Sequence, residues 1–402
     1  MTQQPSKQSL TALNWLNFFA ADVSDGVGPF LAVYLITNLH YKPGQIGMAI
    51  AATTFSMVLA QSPAGYVVDS IKNKRLPIII ASLIVGAVAF IFPLLQNFQL
   101  ILACQVVLGL AASFYIPTLV ALASAITKKG DFDRVISKNQ SFNHAGNVAS
   151  AVLTGVVAKF THNNGIFYCM MGLAVMCTVS GLRISQKDVD TAPAPNREEI
   201  SESKNGLLKE LSGNKTFLIF LLLSVIFYFS NGAMLPLVAQ EIAKGKEQNS
   251  TLYLSACIII AQLVMIPTVY VCGKQAGKGR KKLLIIAFIL LATRGLLYTL
   301  TSTTWHLLIF QILDGMAAGV FSVVSLMVVD DLMGNTGRAS FAQGLWATAL
   351  SLGSTLSNLS AGFIVDAAGF RIGFVFLSVL ALAALFLLWK KMPETLKTAA
   401  VS

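Results

Sequence analysis

Residues 99–126 read QLILACQVVLGLAASFYIPTLVALASAI, an apolar run without a charged side chain. A helix crosses the hydrocarbon core of a bilayer with roughly 20 apolar residues, so this run predicts a membrane span. Its centre, QVVLGLAA at 105–112, resembles QILDGMAA at 311–318, which lies 206 positions later. The shared glutamine, glycine and paired alanines indicate that one half of the chain repeats the other.

The same spacing recurs in two other pairs of apolar segments. Small residues are common in membrane helices, so a single match is weak evidence, but three matches in corresponding segments are difficult to obtain by chance. The further matches, at offsets of 206 and 207, pair Ser24-Asp25-Gly26 with Ser230-Asn231-Gly232, and Gly146 and Gly155 with Gly353 and Gly362. They predict two repeats with the same orientation in the membrane.

Twelve apolar runs in all are long enough to span a bilayer. They lie at 12–37, 44–68, 76–97, 99–126, 143–160, 164–185, 216–240, 252–273, 283–302, 305–329, 341–365 and 370–390. The connections are short except for 186–214, which is polar, charged and contains two prolines. We therefore predict an N-terminal six-helix bundle (1–185), a cytoplasmic linker (186–214) and a C-terminal six-helix bundle (215–402).

Composition and charge support a membrane protein. Hydrophobic residues make up 55% of the chain and charged residues 12%, which is too little charge to cover a water-soluble surface. The net charge of +11 comes from short clusters between apolar runs and not from a basic stripe, which argues against a nucleic-acid partner. With a cytoplasmic N-terminus, 23 of the 29 Lys and Arg residues face the cytoplasm and 5 face the other side. The positive-inside rule therefore predicts that both termini are cytoplasmic.

Signatures of enzymes and ATP-driven pumps are missing from the sequence. We recognise no nucleophile–base pair, metal-binding cluster, phosphate-binding loop or nucleotide-binding domain. We therefore predict no enzymatic activity, no cofactor and no metal site.

Twelve spans in two halves joined by a cytoplasmic linker resemble the major facilitator superfamily. After span 2 that family carries Gly-x-x-x-Asp and a basic cluster, and here the loop reads Gly65-Tyr-Val-Val-Asp69-Ser-Ile-Lys72-Asn73-Lys74-Arg75. The family also tends to end span 11 with the pattern seen in Gly362, Asp366, Gly369 and Arg371. The resemblance covers the whole chain. It implies an all-α polytopic membrane protein whose two six-helix bundles are related by a pseudo-twofold axis along the membrane normal.

The chain leans toward bacterial members that export drugs or siderophores, with departures from their patterns. Ser70 and Lys72 replace the usual Arg and second Gly of the loop after span 2. Gln105 stands where many proton-coupled members have an Arg in span 4, and the Gly-Pro pair of drug antiporters is absent near Gly146-Asn147. These departures weaken the assignment to the multidrug group.

The resemblance implies a cytoplasmic gating role for the loop after span 2, with Gly65, Asp69, Lys74 and Arg75 as its residues. The Asp69 carboxylate would engage a helix N-terminus or a basic group in the outward-facing state. The alternative is a loop whose basic residues only follow the positive-inside rule.

Two aspartates in span 1, Asp22 and Asp25, are the sharpest candidates for proton coupling or substrate binding. Their i, i+3 spacing places them on one helix face. Two carboxylates this close cannot both ionise cheaply in a low dielectric, so at least one should hold a proton near neutral pH. Gly28-Pro29 follows and can let the helix bend. The alternative is that one aspartate only hydrogen-bonds Asn231 or another span.

Arg294 and Asp314 lie at similar depth in spans 9 and 10, which run in opposite directions. An ionisable group in a span is costly and calls for a partner or a function. A buried ion pair between the two is therefore one interpretation. Arg294 could instead bind an anionic group of a substrate, or face elsewhere.

Gln105 and Gln311 occupy equivalent positions of the two repeats. Polar residues at such positions suit a cavity at the repeat interface, but each could equally form an interhelical hydrogen bond. Asn143, His144 and Asn147 cluster where span 5 begins. For His144, a solvated helix end is the alternative to a proton relay.

Together these features predict a secondary active transporter driven by an ion or substrate gradient. The first hypothesis is proton-coupled export of a small organic solute such as a drug, toxin or siderophore. The second is a proton-coupled uptake permease for a nutrient or metal chelate, and the third is a non-transporting receptor or scaffold. We expect a monomer in the bacterial inner membrane, with lipid, protons and a small-molecule substrate as its partners.

Overall fold

A computed structural model describes residues 6–23, 28–126, 132–189, 214–245, 249–275, 279–333 and 339–396. Within these ranges the chain forms helices joined by short turns, without a β-strand. The prediction of an all-α polytopic protein is therefore confirmed. Most of the predicted linker lies outside the described residues, so its boundaries stay predictions.

Within the described residues up to 189, the chain forms nine α-helices. They are α1 (Lys7–Val23), α2 (Gly28–Thr37), α3 (Pro43–Ser70), α4 (Leu76–Ile91), α5 (Phe98–Ala112), α6 (Tyr115–Ile126), α7 (Phe132–Phe160), α8 (Gly165–Arg183) and the short α9 (Gln186–Val189). A 3₁₀ turn, Phe92–Leu94, follows α4. The pairs α1/α2 and α5/α6 each fall within one predicted span.

From residue 214 onward, the described residues form seven further helices. They are α10 (Lys215–Asn231), α11 (Met234–Gly245), α12 (Ser250–Gln275), α13 (Arg280–Tyr298), α14 (Thr304–Ile309), α15 (Gln311–Met333) and α16 (Ala339–Lys391). Helix α16 contains the last two predicted spans. Between them, Gly369 takes a φ of +84° and breaks the helical path. A positive φ is a conformation that glycine adopts without a steric penalty.

Among the residues that the structure describes, eight helical stretches are long and apolar enough to cross a membrane. They are Pro43–Gln61, Leu76–Leu94, Phe98–Ile126, Gly165–Arg183, Lys215–Lys244, Ser250–Gln275, Thr304–Met333 and Ala342–Lys391. The last of them contains two predicted spans. The other three predicted spans coincide with α1 and α2, with α7 and with α13. Those helices are short, rich in polar residues, or begin with basic residues, so hydropathy alone does not single them out.

Packing divides the chain into two compact units: residues 1–40 with 52–200, and residues 41–51 with 201–402. Each unit has an aromatic core. In the first, the rings of Phe92 and Phe167 stack with centroids 4.4 Å apart. In the second, Phe227 and Phe321 stack at 3.7 Å. Many large apolar side chains on the outer faces stay exposed, among them Tyr270 at 64%, which suits a surface in contact with lipid.

Glycines at repeat positions make equivalent contacts in the two units. A β-carbon at Gly146 of α7 would collide with the carbonyl oxygen of Phe18 in α1. One at Gly353 of α16 would collide with the carbonyl oxygen of Val225 in α10. Span 5 therefore packs on span 1 as span 11 packs on span 7, with small residues that allow close approach.

A second pair of glycines repeats this relationship. A β-carbon at Gly109 of α5 would collide with the carbonyl oxygen of Thr53 in α3, and one at Gly315 of α15 with that of Ala261 in α12. The internal repeat recognised in the sequence therefore includes the contacts between helices.

Candidate functional site

The second unit contains a buried polar network centred on Arg294 of α13. The side chain of Arg294 is 2% exposed and forms an ion pair with Asp314 of α15, whose side chain is 15% exposed. Its Nη2 donates to Asn231 Oδ1 over 2.6 Å and lies 2.9 Å from Met234 Sδ. Arg294 therefore joins two neighbouring spans to the point where α10 ends.

A second polar contact lies one helical turn from the ion pair. Gln311 Nε2 donates to the Tyr298 hydroxyl over 2.9 Å. Arg294 and Tyr298 share one face of α13, because they are four residues apart, and Gln311 and Asp314 share one face of α15. The ring of Tyr298 lies 5.8 Å below the guanidinium of Arg294. An ion pair and a neutral hydrogen bond thus connect α13 with α15.

The network leaves two buried atoms of its own without a hydrogen-bond partner among the described residues, Arg294 Nε and Gln311 Oε1. An unpaired charge in the membrane is costly, so the ion pair accounts for how Arg294 is tolerated. The guanidinium shares its donors between a carboxylate and an amide, and hydrogen bonds assisted by charge are stronger than those between neutral groups.

Gln105 has a different partner from its repeat equivalent. Thr53 Oγ1 of α3 donates to Gln105 Oε1 over 2.5 Å, and Gln105 Nε2 lacks a partner in the described part of the chain. Gln105 is therefore bonded toward span 2, whereas Gln311 is bonded toward span 9. Each glutamine makes an interhelical hydrogen bond within its own unit.

The first unit contains a polar cavity of about 250 Å³. It lies among α1, α6 and α7. Five carboxamide side chains share its lining with apolar residues and a tyrosine: Asn17, Asn139, Gln140, Asn143 and Asn147, with Ala20, Ala21, Tyr115, Ile116, Leu119 and Val120. His144 is not among the lining residues, although Asn143 and Asn147 of the same helix are.

Asp25 lies outside the described residues, and Asp22 lies in α1 with its side chain outside them. Helix α1 ends at Val23, and α2 begins at Gly28 with a φ of +43°. The role of the two aspartates in coupling stays a prediction.

The basic residues after span 2 make contacts within the first unit. Arg75 donates to the carbonyl oxygen of Ile184 and, over 3.0 Å, to Gln186 Oε1. Lys74 Nζ donates to the carbonyl oxygen of Val68 over 2.7 Å. The Asp69 side chain lies outside the described residues, and a β-carbon at Gly65 would meet open space. The gating role of this motif stays a prediction.

The glycine-rich end of span 11 caps the first turn of α3, whose first residues belong to the second unit. Asp366 Oδ2 accepts a hydrogen bond from the backbone N–H of Gly44 over 2.9 Å. This N–H belongs to the first turn of α3, where helix donors have no partner within the helix and the macrodipole favours a negative charge. Close contact of Gly44 and Gly47 with Gly362 accompanies the cap.

Sequence reasoning missed several residues of these sites. Thr53 and Tyr298 have no distinguishing pattern of their own, because their partners come from distant positions. Asn139 could have been found, since Asn139, Asn143 and Asn147 recur at a four-residue spacing in α7 and so lie on one helix face. This polar stripe extends the cluster recognised at the start of span 5.

These features define the class: a polytopic α-helical membrane transporter built from two internal repeats, with polar residues buried in each unit. The sequence profile of the Major Facilitator Superfamily matches residues 10–278 and 260–401. The chain belongs to the Major Facilitator Superfamily.

Individual relatives agree with this assignment. An uncharacterised MFS-type transporter of Mycobacterium tuberculosis is 36% identical over 391 residues, covering 96% of this chain and 93% of that protein. Multidrug resistance protein 2 of Bacillus subtilis is 21% identical over 365 residues, 87% of each chain. Sugar efflux transporter A of Dickeya chrysanthemi is 22% identical over 371 residues, 90% of each chain. The crystal structure of the nucleoside transporter NupG has the same fold, with a TM-score of 0.78 at 15% identity over 94% of this chain and 98% of that one.

Proposed function

We propose that this protein exports a small organic solute across the bacterial cytoplasmic membrane by proton-coupled alternating access. The observation that carries the proposal is the Arg294–Asp314–Asn231 network, in which a charged pair is buried inside a membrane-spanning unit. Ionisable residues at such depth are rare outside transport and proton pathways. A monomer is sufficient for this cycle, since each chain carries both repeats.

Coupling is assigned to the two aspartates of span 1. Asp22 and Asp25 are spaced for mutual repulsion, so one of them would bind a proton from the acidic side and release it to the cytoplasm. The energy for export would then come from the proton gradient, because no nucleotide-binding domain is recognisable in the sequence.

The outward direction is supported by the relatives. Two of them are named for resistance to drugs or for sugar efflux. The residues themselves do not set the direction, because the same carboxylate serves either cycle. An uptake permease for a nutrient or metal chelate is the alternative that the experiment below separates.

The test uses everted membrane vesicles acidified inside, with a pH-sensitive dye to report proton release when a solute is added. Ethidium, lactose and uridine serve as probes. We expect at least one to release protons from vesicles with the wild-type protein, and Asp22→Asn or Asp25→Asn to abolish that release. Asp330→Asn, at an exposed position late in α15, is the matched control and should retain it.

Two outcomes contradict the proposal. Undiminished solute-driven proton release in both aspartate variants rejects coupling through span 1. Gradient-driven accumulation of a probe in right-side-out vesicles, without accumulation in everted ones, assigns the protein to the uptake permeases instead.

A further inference from the structure

We propose that the carboxamide-lined cavity of the first unit binds a small, uncharged solute that carries several hydroxyl or amide groups. This substrate class rests on the transport function proposed above. Binding to the cavity can nevertheless be tested separately from coupling, because it needs neither a proton gradient nor the span 1 aspartates.

The cavity is formed by one polar face of α7 against α1 and α6. Asn139, Asn143 and Asn147 follow each other at intervals of four residues and so lie on one face of α7. Asn17 approaches from α1, where its Nδ2 donates to the carbonyl oxygen of Leu13 over 2.9 Å. Asn143 Nδ2 donates to the carbonyl oxygen of Asn17 at 3.4 Å. The amides of Asn17 and Asn143 are therefore held in place by contacts with the backbone of α1.

Gly146 fixes the distance between these two helices. A β-carbon there would collide with the carbonyl oxygen of Phe18 and approach Ala21 Cβ to 3.1 Å. The close crossing of α1 and α7 sets the position of Asn17 relative to Asn143. The cavity is thus a consequence of how this unit packs.

Asn139 gives the independent indication of a ligand. The residue is 3% exposed, and its Oδ1 has no hydrogen-bond partner among the described residues. A buried acceptor without a partner is unfavourable, and in native structures it calls for an explanation. Asn139 lines the cavity, and a rotation of its side chain would present this acceptor to a donor on a bound solute.

The lining selects against charge. Carboxamides both donate and accept hydrogen bonds but carry no net charge. Among the described lining residues only Tyr115 is titratable, and its hydroxyl already bonds Ser82 Oγ at 2.9 Å. A cation or carboxylate placed there would lose hydration without gaining a counter-charge. Hydroxyl and amide groups of a solute would replace their hydrogen bonds to water with hydrogen bonds to the carboxamides of the lining, at little cost in free energy.

The volume selects for small size. The cavity holds about 250 Å³, whereas pockets for drug-sized ligands hold about 300–1,000 Å³. The site therefore fits a compact polar solute such as a sugar or nucleoside better than a large lipophilic drug.

The experiment measures thermal unfolding of the full-length protein in lipid nanodiscs with one added probe at a time. Lactose and uridine represent neutral solutes, citrate represents anions, and tetraphenylphosphonium represents cations. We expect lactose or uridine to raise the melting temperature of the wild-type protein, since a ligand that binds the native state stabilises it. Citrate and tetraphenylphosphonium should leave it unchanged.

Variants then locate the site. Asn139→Leu and Asn143→Leu keep the branched shape of the side chain but remove its hydrogen bonds, and each should weaken binding of the neutral probe by about three- to tenfold. Asn139→Leu should leave the melting temperature without ligand unchanged or raised, because it removes an unpaired buried acceptor. Gln99→Leu, at an exposed position in α5, is the control and should bind as the wild type does.

The proposal is overturned if neither neutral probe binds, if both asparagine variants bind it normally, or if a charged probe binds in a way that depends on Asn139. Loss of proton-coupled flux with intact neutral-solute binding would reject the coupling proposal alone. Intact flux with probe binding that is insensitive to Asn139 and Asn143 would reject the cavity alone.

Discussion

Arg294 of α13 and Asp314 of α15 form an ion pair within the membrane-spanning part of the second unit, and Asn231 accepts a second hydrogen bond from the same guanidinium over 2.6 Å. Each charge compensates for the burial of the other. The pair should therefore be more sensitive to loss of one partner than to loss of both.

Arg294→Met alone should destabilise the protein by about 3–5 kcal/mol, because it leaves Asp314 unpaired in a poorly hydrated site. The double variant Arg294→Met, Asp314→Leu should recover most of the folded yield. Thermal unfolding in nanodiscs measures both. If the double variant were as unstable as the single one, the pair would be making contacts beyond mutual neutralisation.

The hydrogen bond between Tyr298 and Gln311 should stabilise the protein less than the ion pair does. Tyr298→Phe is expected to cost about 0.6 kcal/mol, the average for a hydrogen bond between membrane helices. A double-mutant cycle with Gln311→Leu gives the coupling energy directly. A coupling energy near zero would show that the 2.9 Å contact does not stabilise the fold.

The repeat-related glycines should be intolerant of even one methyl group. Gly146→Ala and Gly353→Ala each force a β-carbon against a backbone carbonyl and should cost about 1–3 kcal/mol. Gly172→Ala in α8 is the matched control, because a β-carbon there meets open space. That change should be neutral or slightly stabilising, since alanine has the higher helix propensity. Equal melting temperatures for all three variants would contradict the close crossings.

Asp366 should stabilise the first turn of α3 through its bond to the Gly44 N–H. Asp366→Ala is expected to cost about 0.5–2 kcal/mol, as for other capping side chains. Asp330→Ala removes an exposed carboxylate of the second unit and should be neutral. Hydrogen exchange of the Gly44 amide reports the cap locally, and unchanged protection in Asp366→Ala would argue against it.

The hydrogen bonds from Ser6 and Ser9 to Asp188, here called the polar clasp, should make the stability of the first unit depend on pH. Ser6 Oγ and Ser9 Oγ each donate to Asp188 Oδ2 over 2.6 Å, and these bonds, with that from Ser6 first in importance, lower the pKa of Asp188. A carboxyl whose pKa is lower in the folded state stabilises the fold above its unfolded pKa of about 3.9, and that contribution is lost as the pH falls through the folded value.

Asp188→Asn should therefore reduce stability slightly at neutral pH and have no effect once the pH is below the folded pKa. The Asp188 side chain is only partly buried, so we expect a small shift of the melting temperature. Measuring both proteins from pH 7 down to about pH 3 tests the sign. A difference that grows on acidification would contradict the clasp.

Much of the fold follows from patterns that are local in sequence. Apolar runs such as 99–126 must be helical because a bilayer offers no partner for backbone N–H and C=O groups. The offset between Gln105 and Gln311 revealed the repeat, and the glycine contacts show that it extends to packing. The kink at Gly369 follows from a residue type, whereas the division of α10 from α11 near Asn231 has no comparably clear signal.

For the candidate sites, sequence determined less than it did for the fold. Sequence alone determined that Arg294 and Asp314 lie at similar depth and that Asn143 and Asn147 share a helix face, since rise and periodicity fix both. Only the tertiary structure decided that Asn231 joins the first pair and that Gln105 turns to Thr53 while Gln311 turns to Tyr298. Nor could sequence show that Asn139 is buried with an unpaired oxygen beside a cavity. Depth and facing direction are properties of one helix, but a hydrogen-bond partner depends on how several helices pack.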